Sequence, residues 1–471
     1  MKILLIEAPY NYGAMKVAIS RHFPLGLAYV ASYLKKNLWG SSIELFLEDF
    51  DKNFYILLKK RLVEFAPDLI GISAMTPSFY AAYEIAKFIK KESDTPIVLG
   101  GQHASALKKE NLSCDSPLDF IVYGEGEQTM LELCEKLRNS SADFDNISGL
   151  IFKKNGIAVE NPPRTLINKL DNVPFPAREL TDLKRFGTHS YIKFGKNSAT
   201  IISSRGCAYN CVFCASNLTM GRKYRFHSAE YVTEEIKELT GKYKIDSLVF
   251  VDDTLTQNRH RLENICRNLI QDKIHVYWYC LSRIDTIDYD VLKLMKEAGC
   301  RMVTFGIESG NQKMLEIMNK NLSLSKAKKV IDDCKKLGLR SQCTYIIGFP
   351  GENSTTMCET YKFAKSLGPT ITIFFPFIPY PGTKIFDTLP EDLKPESPDE
   401  WKKFLMTSDL PIASFIEGCS RKKLALIIKL YTLRFYLRPK QIAKILNTIQ
   451  SRQDLFEMIK SFFLLVVRLI K

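Results

Sequence analysis

Short apolar runs alternate with longer amphipathic segments along most of this 471-residue chain, and this alternation constrains its fold more than any other feature. Strands separated by helices pair in parallel, so the pattern predicts helices packed against parallel sheets. The runs lack a period of two, as expected when both faces of a sheet are covered. With 46% apolar residues the chain can bury several cores, which excludes disordered and small disulfide-stapled proteins.

The alternation occurs in two blocks. In residues 1–150 the expected strands are 3–6, 43–47, 69–73, 97–99 and 120–123. In residues 196–395 they are 200–203, 247–251, 276–280, 302–305, 342–347 and 370–375. The six consecutive β/α units of the second block favour an open or partial barrel over a second doubly wound sheet. Between the blocks, residues 151–195 hold a predicted hairpin at Asn155-Gly156 and several prolines, and we interpret them as a linker.

Three of the twelve cysteines lie together, as Cys207, Cys211 and Cys214, in a loop directly after a predicted strand. Such a loop can wrap three thiolates around a soft metal centre, either iron–sulfur or zinc. A structural zinc site usually takes four protein ligands, and the next histidine, His227, is thirteen residues beyond the last of these cysteines. Three ligands leave one iron of a four-iron cluster open to a small molecule. The other nine cysteines are scattered, which is typical of reduced thiols in a cytosolic protein.

With Phe213 before its last cysteine and six β/α units around it, this motif resembles the radical S-adenosylmethionine (radical SAM) superfamily. The resemblance implies a four-iron four-sulfur cluster on the three cysteines, at which SAM is reductively cleaved to a 5′-deoxyadenosyl radical. It also implies SAM contacts after successive strands, at Asp252, Asp253, Arg283, Glu308, Ser309 and Gly348. Ligands of β/α folds gather at the carboxyl ends of strands, which agrees with these positions.

The loops after the first-block strands are polar or rich in glycine, and they resemble the cobalamin-binding domain that precedes many radical SAM modules. The contacts that this resemblance implies are Ser73, Thr76, Gly100, Gly101, Gln102, His103, Gly124 and Glu125. The D-x-H-x-x-G pattern of a cobalt-ligating histidine is missing, because none of the six histidines has an aspartate two residues before it. We therefore expect His103 to be a loop or phosphate-contact residue.

Together the resemblances imply an α/β chain with an N-terminal doubly wound (flavodoxin-like) parallel sheet, a six-unit partial β/α barrel and a helical C-terminal tail. The expected domains are a cobalamin-binding domain at 1–150, the linker at 151–195, a radical SAM barrel at 196–395 and a helical basic region at 396–471. The implied enzyme is a class B radical SAM methyltransferase that methylates an unactivated carbon of a small-molecule or lipid-linked substrate. A low-potential donor such as flavodoxin or ferredoxin would reduce its cluster. No catalytic residue is assigned.

Two alternatives stay open. One is a cobalamin-dependent radical cyclisation, rearrangement or oxidation, as in the anaerobic porphyrin cyclases that this architecture also resembles. The other is a cobalamin- or redox-sensing module without turnover, which the intact cysteine triad disfavours. A methylthiotransferase is disfavoured too, because that family uses a second cluster on three N-terminal cysteines and only Cys114 and Cys134 precede the motif.

Basic residues are concentrated at the C-terminal end. Residues 421–471 hold twelve Lys or Arg against Asp454 and Glu457, and thus supply +10 of the chain's net charge of +14. Their apolar residues follow helical spacing, most densely over 456–470. This pattern predicts either a helical lid on the barrel or a peripheral contact with the inner face of a membrane. Nucleic acid is not favoured as a partner, because the rest of the chain is nearly neutral.

Overall fold

The computed structural model describes residues 1–9, 22–49, 51–187, 194–405 and 410–447. The most strongly apolar part of the basic tail, 456–470, therefore lies outside the described residues. The first half of the described chain forms β1 (Lys2–Glu7), α1 (Leu25–Asn37), β2 (Ser42–Phe46), α2 (Phe54–Phe65), β3 (Leu69–Ser73), α3 (Phe79–Glu92), β4 (Ile97–Gly100), α4 (Gln102–Leu107), β5 (Phe120–Val122), α5 (Gly126–Arg138), β6 (Leu150–Lys154) and β7 (Ile157–Glu160).

These strands form one seven-stranded sheet in the order β2-β1-β3-β4-β5-β6-β7. The first five strands are parallel and have the flavodoxin-like order, so the predicted doubly wound fold is confirmed. The hairpin predicted at Asn155-Gly156 forms, and its strands β6 and β7 extend this sheet in antiparallel pairing. The order reverses between β1 and β3, which opens a crevice at the carboxyl ends of the strands, where ligands of such folds bind.

The second half forms β8 (Ser198–Ile201), β9 (Ser204–Arg205), α6 (Asn217–Met220), β10 (Arg225–Phe226), α7 (Ala229–Gly241), β11 (Ser247–Phe250), α8 (Arg259–Gln271), β12 (Tyr277–Ser282), α9 (Tyr289–Glu297), β13 (Cys300–Glu308), α10 (Gln312–Ile317), α11 (Leu324–Lys336), β14 (Arg340–Ile347), α12 (Ser354–Leu367) and β15 (Ile371–Pro376). Its six-stranded sheet has the order β15-β14-β13-β12-β11-β8, and all neighbouring strands are parallel. Strands β8 and β15 do not pair, so the predicted partial barrel is confirmed.

The helices of the second sheet cover one face. The other face is open near the strand carboxyl ends, although Val249, Tyr279 and Met302 form a small buried cluster on it. In β14 every second side chain, including Cys343 and Tyr345, is fully buried in the cluster that packs on the helices. The residues between them are only partly buried. Leu281, in the central strand β12, is exposed although strands flank it on both sides. A concave open face explains this exposure, and its rim at the strand carboxyl ends holds the cysteine loop.

After β15 the chain crosses back to the first sheet. The segment 376–405 includes α13 (Lys384–Asp387), and its apolar side chains pack in one cluster with those of α2, α3, β3 and β4. The chain then returns to the second sheet as α14 (Arg421–Tyr436) and α15 (Pro439–Leu446). The Tyr436 hydroxyl accepts a hydrogen bond from the Thr372 N–H and donates one to the Thr372 carbonyl. These helices therefore cover edge strand β15 and satisfy part of its free backbone.

Candidate functional site

The stem of the cysteine loop is held by a short antiparallel pair. Strand β9 pairs with β10, so Arg205 lies opposite Arg225. The next residue, Gly206, has φ of +83°, and a Cβ there would lie 2.5 Å from the Lys223 carbonyl oxygen. Only glycine fits this turn without strain. The sequence Arg205-Gly206-Cys207 therefore bends sharply where the cluster loop begins.

The rest of the loop is clamped by the segments that follow β12 and β13. The Val212 N–H donates to the Met318 carbonyl at 3.1 Å, and the Asn319 amide donates to the Asn210 carbonyl at 2.8 Å. The guanidinium of Arg283 lies 3.5 Å from the ring centroid of Tyr209. The Tyr209 hydroxyl donates to Asp285 at 2.9 Å. These contacts hold the loop open around its three thiols.

The electrostatics of the thiols suit anionic ligands of a cluster. Burial raises the pKa of Cys207 and of Cys211, and the thiols raise one another's pKa, so each would repel its neighbours once ionised. Two cations oppose this effect at Cys211: Lys320, and Arg283, whose Nη1 lies 4.0 Å from Sγ. Within the described chain, no three ligand side chains converge on a single metal ion. A four-iron cluster is larger than one ion, so three separate thiols beside two cations fit it.

Asp252, predicted as a SAM contact, is used inside the protein. It is fully buried and accepts hydrogen bonds from the Ser203 N–H at 3.1 Å, from the Ser203 hydroxyl at 2.7 Å and from the Ser204 hydroxyl. It thereby ties the end of β11 to the stem of the cysteine loop. Asp253, the next residue, is exposed and interacts electrostatically with Cys207. Desolvation and then repulsion by Asp252 raise the pKa of Asp253, which faces the open side of the site.

Glu308 and Lys320 form a buried ion pair beside the cysteines, with 3.1 Å between Nζ and Oε1. Glu308 has φ of +69°, in the left-handed region that residues other than glycine rarely occupy. A Cβ at Gly306 would lie 2.3 Å from Oε1 of Glu308. The ion pair therefore requires both this strained backbone and a glycine two residues before it, a combination that is concentrated at functional sites.

The other two predicted SAM positions are largely covered. Ser309 is buried, and its hydroxyl lies 3.2 Å from that of Thr360 on α12. Gly348 has φ of +90°, and a Cβ there would lie 2.6 Å from Leu424 of α14. Its N–H donates to Glu352 at 2.7 Å. Of the predicted SAM residues, Asp253, Arg283 and Glu308 are thus the side chains grouped around the cysteine loop.

At the first sheet, the predicted cobalamin loops meet at the carboxyl ends of β3, β4 and β5. Gly101 has φ of +96°, and a Cβ there would lie 2.6 Å from the Ala74 carbonyl oxygen and 3.1 Å from the Ser73 hydroxyl. The loop that contains Gly100 and Gly101 therefore packs directly on the loop after β3. By contrast, a Cβ at Gly124 would meet nothing within 4 Å. Among the described residues this edge combines close backbone packing at Gly101 with an uncrowded backbone at Gly124, which fits a ligand that approaches the backbone.

His103 is sealed away from that space. Its ring is fully buried, stacked on Phe79 at 3.9 Å between centroids and against Trp401 at 4.8 Å. Nδ1 lies 3.4 Å from the Thr76 hydroxyl. Burial lowers the pKa of His103 to about 3, so the imidazole is neutral. The buried ring therefore offers neither a ligand for cobalt nor the phosphate contact expected from the sequence.

Glu125, predicted as a cobalamin contact, is buried in an ion network between the two sheets. It accepts hydrogen bonds from Arg205 at 3.0 Å and from Arg225 at 2.8 Å. Arg205 also donates to Glu127 at 2.6 Å. We call Glu125, Glu127, Arg205 and Arg225 the interface quartet. The two arginines and Glu127 were not predicted from the sequence. The only sequence signal of their role is that Arg205 stands close to the cysteine motif.

The two sites adjoin one another. The Gln102 amide, at the start of α4, donates to the carbonyl of Ala215, the residue after Cys214, at 3.3 Å. Helix α4 also packs against α6, which follows the cysteine loop. A ligand over the carboxyl ends of the first sheet and a cluster on the three cysteines would therefore share one space.

Trp401 was not predicted from the sequence either. It lies in the segment 376–405 that crosses back from β15, and it packs on His103, Phe386 and Phe404. Large apolar residues within a proline-rich stretch are the only sequence signal of this packing. The segment covers one side of the strand ends of the first sheet.

Comparisons with known proteins agree with this geometry. The family model of the radical SAM superfamily matches residues 201–364, and that of the B12 binding domain matches residues 14–134. An uncharacterised methyltransferase of Pyrococcus horikoshii is 34% identical over 446 residues, 94% of each chain. The anaerobic magnesium-protoporphyrin IX monomethyl ester cyclase of Rubrivivax gelatinosus is 28% identical over 397 residues, 83% of this chain and 70% of the relative.

The solved structure of the radical SAM methyltransferase TsrM from Kitasatospora setae, with cobalamin and a 4Fe-4S cluster bound, has the same fold. Its TM-score is 0.68 at 18% identity, over 93% of this chain and 82% of the other. The protein is therefore an enzyme whose cofactors are a 4Fe-4S cluster, SAM and cobalamin. The chain belongs to the radical SAM superfamily, in its cobalamin-binding branch.

Proposed function

We propose that this enzyme transfers a methyl group to an unactivated carbon of a small-molecule or lipid-linked substrate. The observation that carries the proposal is the contact between the two sites, through Gln102 and Ala215 and through the interface quartet. When bound, the cluster with SAM supplies a 5′-deoxyadenosyl radical and cobalamin supplies a methyl group. Both groups must reach the same carbon, and adjoining sites allow this. The Pyrococcus relative, named as a methyltransferase, supports methyl transfer over cyclisation.

In this proposal Cys207, Cys211 and Cys214 ligate the cluster, and the surrounding residues prepare the thiols for it. Arg283 and Lys320 stabilise the thiolates electrostatically, because both cations lower the pKa of Cys211. The contacts of Arg283 with Tyr209 and Asp285 keep its guanidinium in place. A preorganised positive field around an anionic centre requires no rearrangement when the centre forms.

For SAM we propose that Asp253 binds the amino group and Arg283 the carboxylate. Glu308 and Lys320 line the same edge, where the ribose hydroxyls can bind. The buried Asp252 acts as a positioning residue, because its hydrogen bonds hold Ser203 and Ser204. Ser309 and Gly348 then shape the rim, through Thr360 and Leu424 respectively.

For cobalamin we propose that residues 1–150 form the binding domain and that the backbone of Gly100, Gly101 and Gly124 approaches the ligand. The polar groups of Ser73, Thr76 and Gln102 lie on the same edge of the sheet. His103 and Glu125 support this edge from within, through Phe79 and Arg205. The barrel at 196–395 holds the cluster across the shared space, with 151–195 as the linker and 396–471 as the helical region.

We further propose a reducing, cytoplasmic setting, with an acidic low-potential donor such as flavodoxin or ferredoxin. All twelve cysteines have free thiols, as expected where thiols stay reduced. A peripheral contact with the inner face of a membrane is part of this proposal. Among the described residues no helix is long and apolar enough to cross a membrane.

The test is anaerobic turnover of the reconstituted enzyme with SAM labelled in its methyl group, supplied with extracts of the native host. We expect 5′-deoxyadenosine together with a product that carries the label. If 5′-deoxyadenosine forms with a changed but unlabelled product, the reaction is a cyclisation, rearrangement or oxidation. If neither product forms in any extract while cluster and cobalamin are bound, the sensing alternative is favoured.

A further inference from the structure

Helix α14 has two apolar sides, and within the part of the chain that the structure describes only one of them is covered. On the inner side, Leu424 and Phe435 are fully buried against the second sheet. On the outer side, Leu426, Leu430 and Leu437 are 54%, 36% and 52% exposed. Most exposed helix faces are polar, so an uncovered row of leucines opposite a packed face indicates an interaction surface.

The outer leucines form one row flanked by positive charge. They lie four and seven residues apart, and at about 100° per residue this spacing keeps them within a narrow stripe. The same geometry places Lys422 and Lys429 along one flank of the stripe and Lys423 and Arg434 along the other. Residues 421–447 contain eight Lys or Arg and no Asp or Glu. The stripe is therefore apolar along its middle and cationic along both sides.

Helix α15, beyond the break at Arg438-Pro439, also has an exposed apolar side. Ile442 and Leu446 are one turn apart and 42% and 49% exposed. Lys440 lies on a different side of α15, where it lines a groove with Lys362 and Lys365 of α12. We define the outer stripe as the exposed apolar residues of these two helices together with the cations that flank the leucines of α14. Its members are Leu426, Leu430, Leu437, Ile442, Leu446, Lys422, Lys423, Lys429 and Arg434.

The orientation of the outer stripe is fixed. The two hydrogen bonds between Tyr436 and Thr372 hold α14 on the edge of β15. The Gln441 amide donates to the Thr370 carbonyl at 2.8 Å and holds α15 in the same way. Neither helix can turn its outer side inward without breaking these bonds, so the leucines stay exposed to whatever binds there.

We propose that the outer stripe binds the surface of an anionic lipid bilayer, with the leucines in the acyl boundary and the cations at the headgroups. A single apolar row between two cationic flanks matches a helix lying in the plane of an interface. A protein partner would need enough negative charge to neutralise both flanks. The outer stripe of a second copy cannot supply it in a two-fold contact, because that surface is cationic too. An anionic bilayer supplies that charge at any position.

The surface lies next to the candidate site. Leu424, on the inner side of the same helix, packs on Gly348 at the carboxyl end of β14. Docking through the outer stripe would therefore bring the rim of the barrel close to the bilayer. This inference adds a surface to the proposed function but does not depend on methyl transfer, since it can be tested without turnover.

The test is flotation of the full chain with vesicles, with and without a fraction of acidic lipid. We expect flotation at low salt with acidic vesicles, little with neutral vesicles, and release at high salt, because salt screens the cations. The double variant Leu430→Glu/Leu437→Glu should lower the floating fraction at least about tenfold, since each added carboxylate opposes both insertion and the anionic surface. The matched control is Ile56→Glu/Val63→Glu, on α2, whose parent side chains are 67% and 74% exposed.

The proposal is overturned if the chain does not float with acidic vesicles at low salt. It is also overturned if Leu430→Glu/Leu437→Glu floats as well as the parent, because residues outside the stripe would then bind the membrane. A third outcome would also contradict the proposal: neither protein binds vesicles, the parent is an oligomer and the Leu430→Glu/Leu437→Glu variant is a monomer. The stripe would then be a contact between protein chains. Circular dichroism and thermal unfolding of each variant identify any loss through misfolding, and Lys422→Glu/Lys423→Glu then provides an independent test of the same stripe.

Discussion

Arg205 donates a hydrogen bond of 3.0 Å to Glu125, and both side chains are buried between the two sheets of the molecule. Arg205 stands two residues before Cys207, whereas Glu125 follows β5 in the first sheet. The pair thus joins the stem of the cluster loop to the loop at the proposed cobalamin edge. Arg225 and Glu127 complete a group of two cations and two anions, which is neutral and can therefore be buried.

We expect Arg205→Met to reduce the free energy of unfolding by about 3–5 kcal/mol, because it leaves Glu127 and part of Glu125 buried without a cation. The matched control is Arg259→Met, which removes an exposed pair with Asp288 and should cost less than about 1 kcal/mol. Denaturant unfolding of both variants measures the difference. Equal effects would mean that the interface quartet does not hold the two sheets together.

Gly206→Ala should lower the amount of cluster bound per chain, because the new Cβ would lie 2.5 Å from a backbone oxygen at a φ of +83°. The stem would shift, and Cys207 with it. Gly241→Ala, at the end of α7, meets nothing within 4 Å and serves as the control. Iron and sulfide analysis after reconstitution gives the result. Full cluster occupancy in Gly206→Ala would show that the bend at Gly206 is not required.

Each of Cys207→Ala, Cys211→Ala and Cys214→Ala should abolish the visible charge-transfer absorption of the reconstituted cluster, because each removes one of only three protein ligands. Cys266→Ala and Cys334→Ala are the controls, since both thiols are buried in the core among helices. The assignment fails for any of the three positions at which the alanine variant keeps its full iron content and still cleaves SAM.

Cobalamin bound to the protein should lack a histidine ligand. In the Co(II) state, electron paramagnetic resonance should show no nitrogen superhyperfine splitting, since His103 is buried between Phe79 and Trp401. The control is His275→Gln, a change at an exposed histidine. This account is contradicted if the spectrum shows a nitrogen triplet that disappears in His103→Gln and persists in the control.

Much of this architecture could be predicted from the sequence. The bounds of helices such as Ala229–Gly241 and Arg259–Gln271 follow from the sequence, because their apolar spacing and their caps at Ser228 and Asn258 are local signals. Strand bounds agree within three residues. The largest difference is at β13, which continues through a bulge near Gly306 that no local pattern marks.

The contacts between distant segments could not be predicted. Glu125 and Arg205 are 80 residues apart, and neither shows in sequence that it is buried. The same holds for Trp401, whose position over His103 depends on how segment 376–405 crosses between the sheets. The SAM and cobalamin residues were identified by strand ends, which locate a loop but do not distinguish an open side chain such as Asp253 from a buried one such as Asp252.

Stability should fall as pH rises from about 4.5 to about 7, in part because of Glu352. Burial raises the pKa of this carboxyl group from 4.5 to about 7, although two backbone N–H groups oppose the shift. Between these values the unfolded chain has released the proton and the folded chain has not, so the free energy of unfolding decreases with pH. The pKa shift corresponds to a loss of about 3 kcal/mol at most in the free energy of unfolding, and this loss is complete above pH 7.

Glu352→Gln should remove that component of the pH dependence. The free energy of unfolding of the variant minus that of the parent should therefore be larger at pH 8 than at pH 4. Denaturant unfolding at a series of pH values measures it, with the exposed Glu417→Gln as the control. A parent and a Glu352→Gln variant whose stabilities run parallel across this range would mean that Glu352 titrates normally.

The central claim is that the cluster site and the cobalamin site work on a shared space to transfer methyl groups. The most direct measurement uses no substrate: reduced, reconstituted enzyme with bound cobalamin is mixed with SAM labelled in its methyl group. We expect the label in enzyme-bound methylcobalamin, because SAM bound near Asp253 and Arg283 would lie across from the loops at Gly101 and Gly124. If the enzyme forms 5′-deoxyadenosine under these conditions and its cobalamin acquires no label, the methyltransferase account is contradicted.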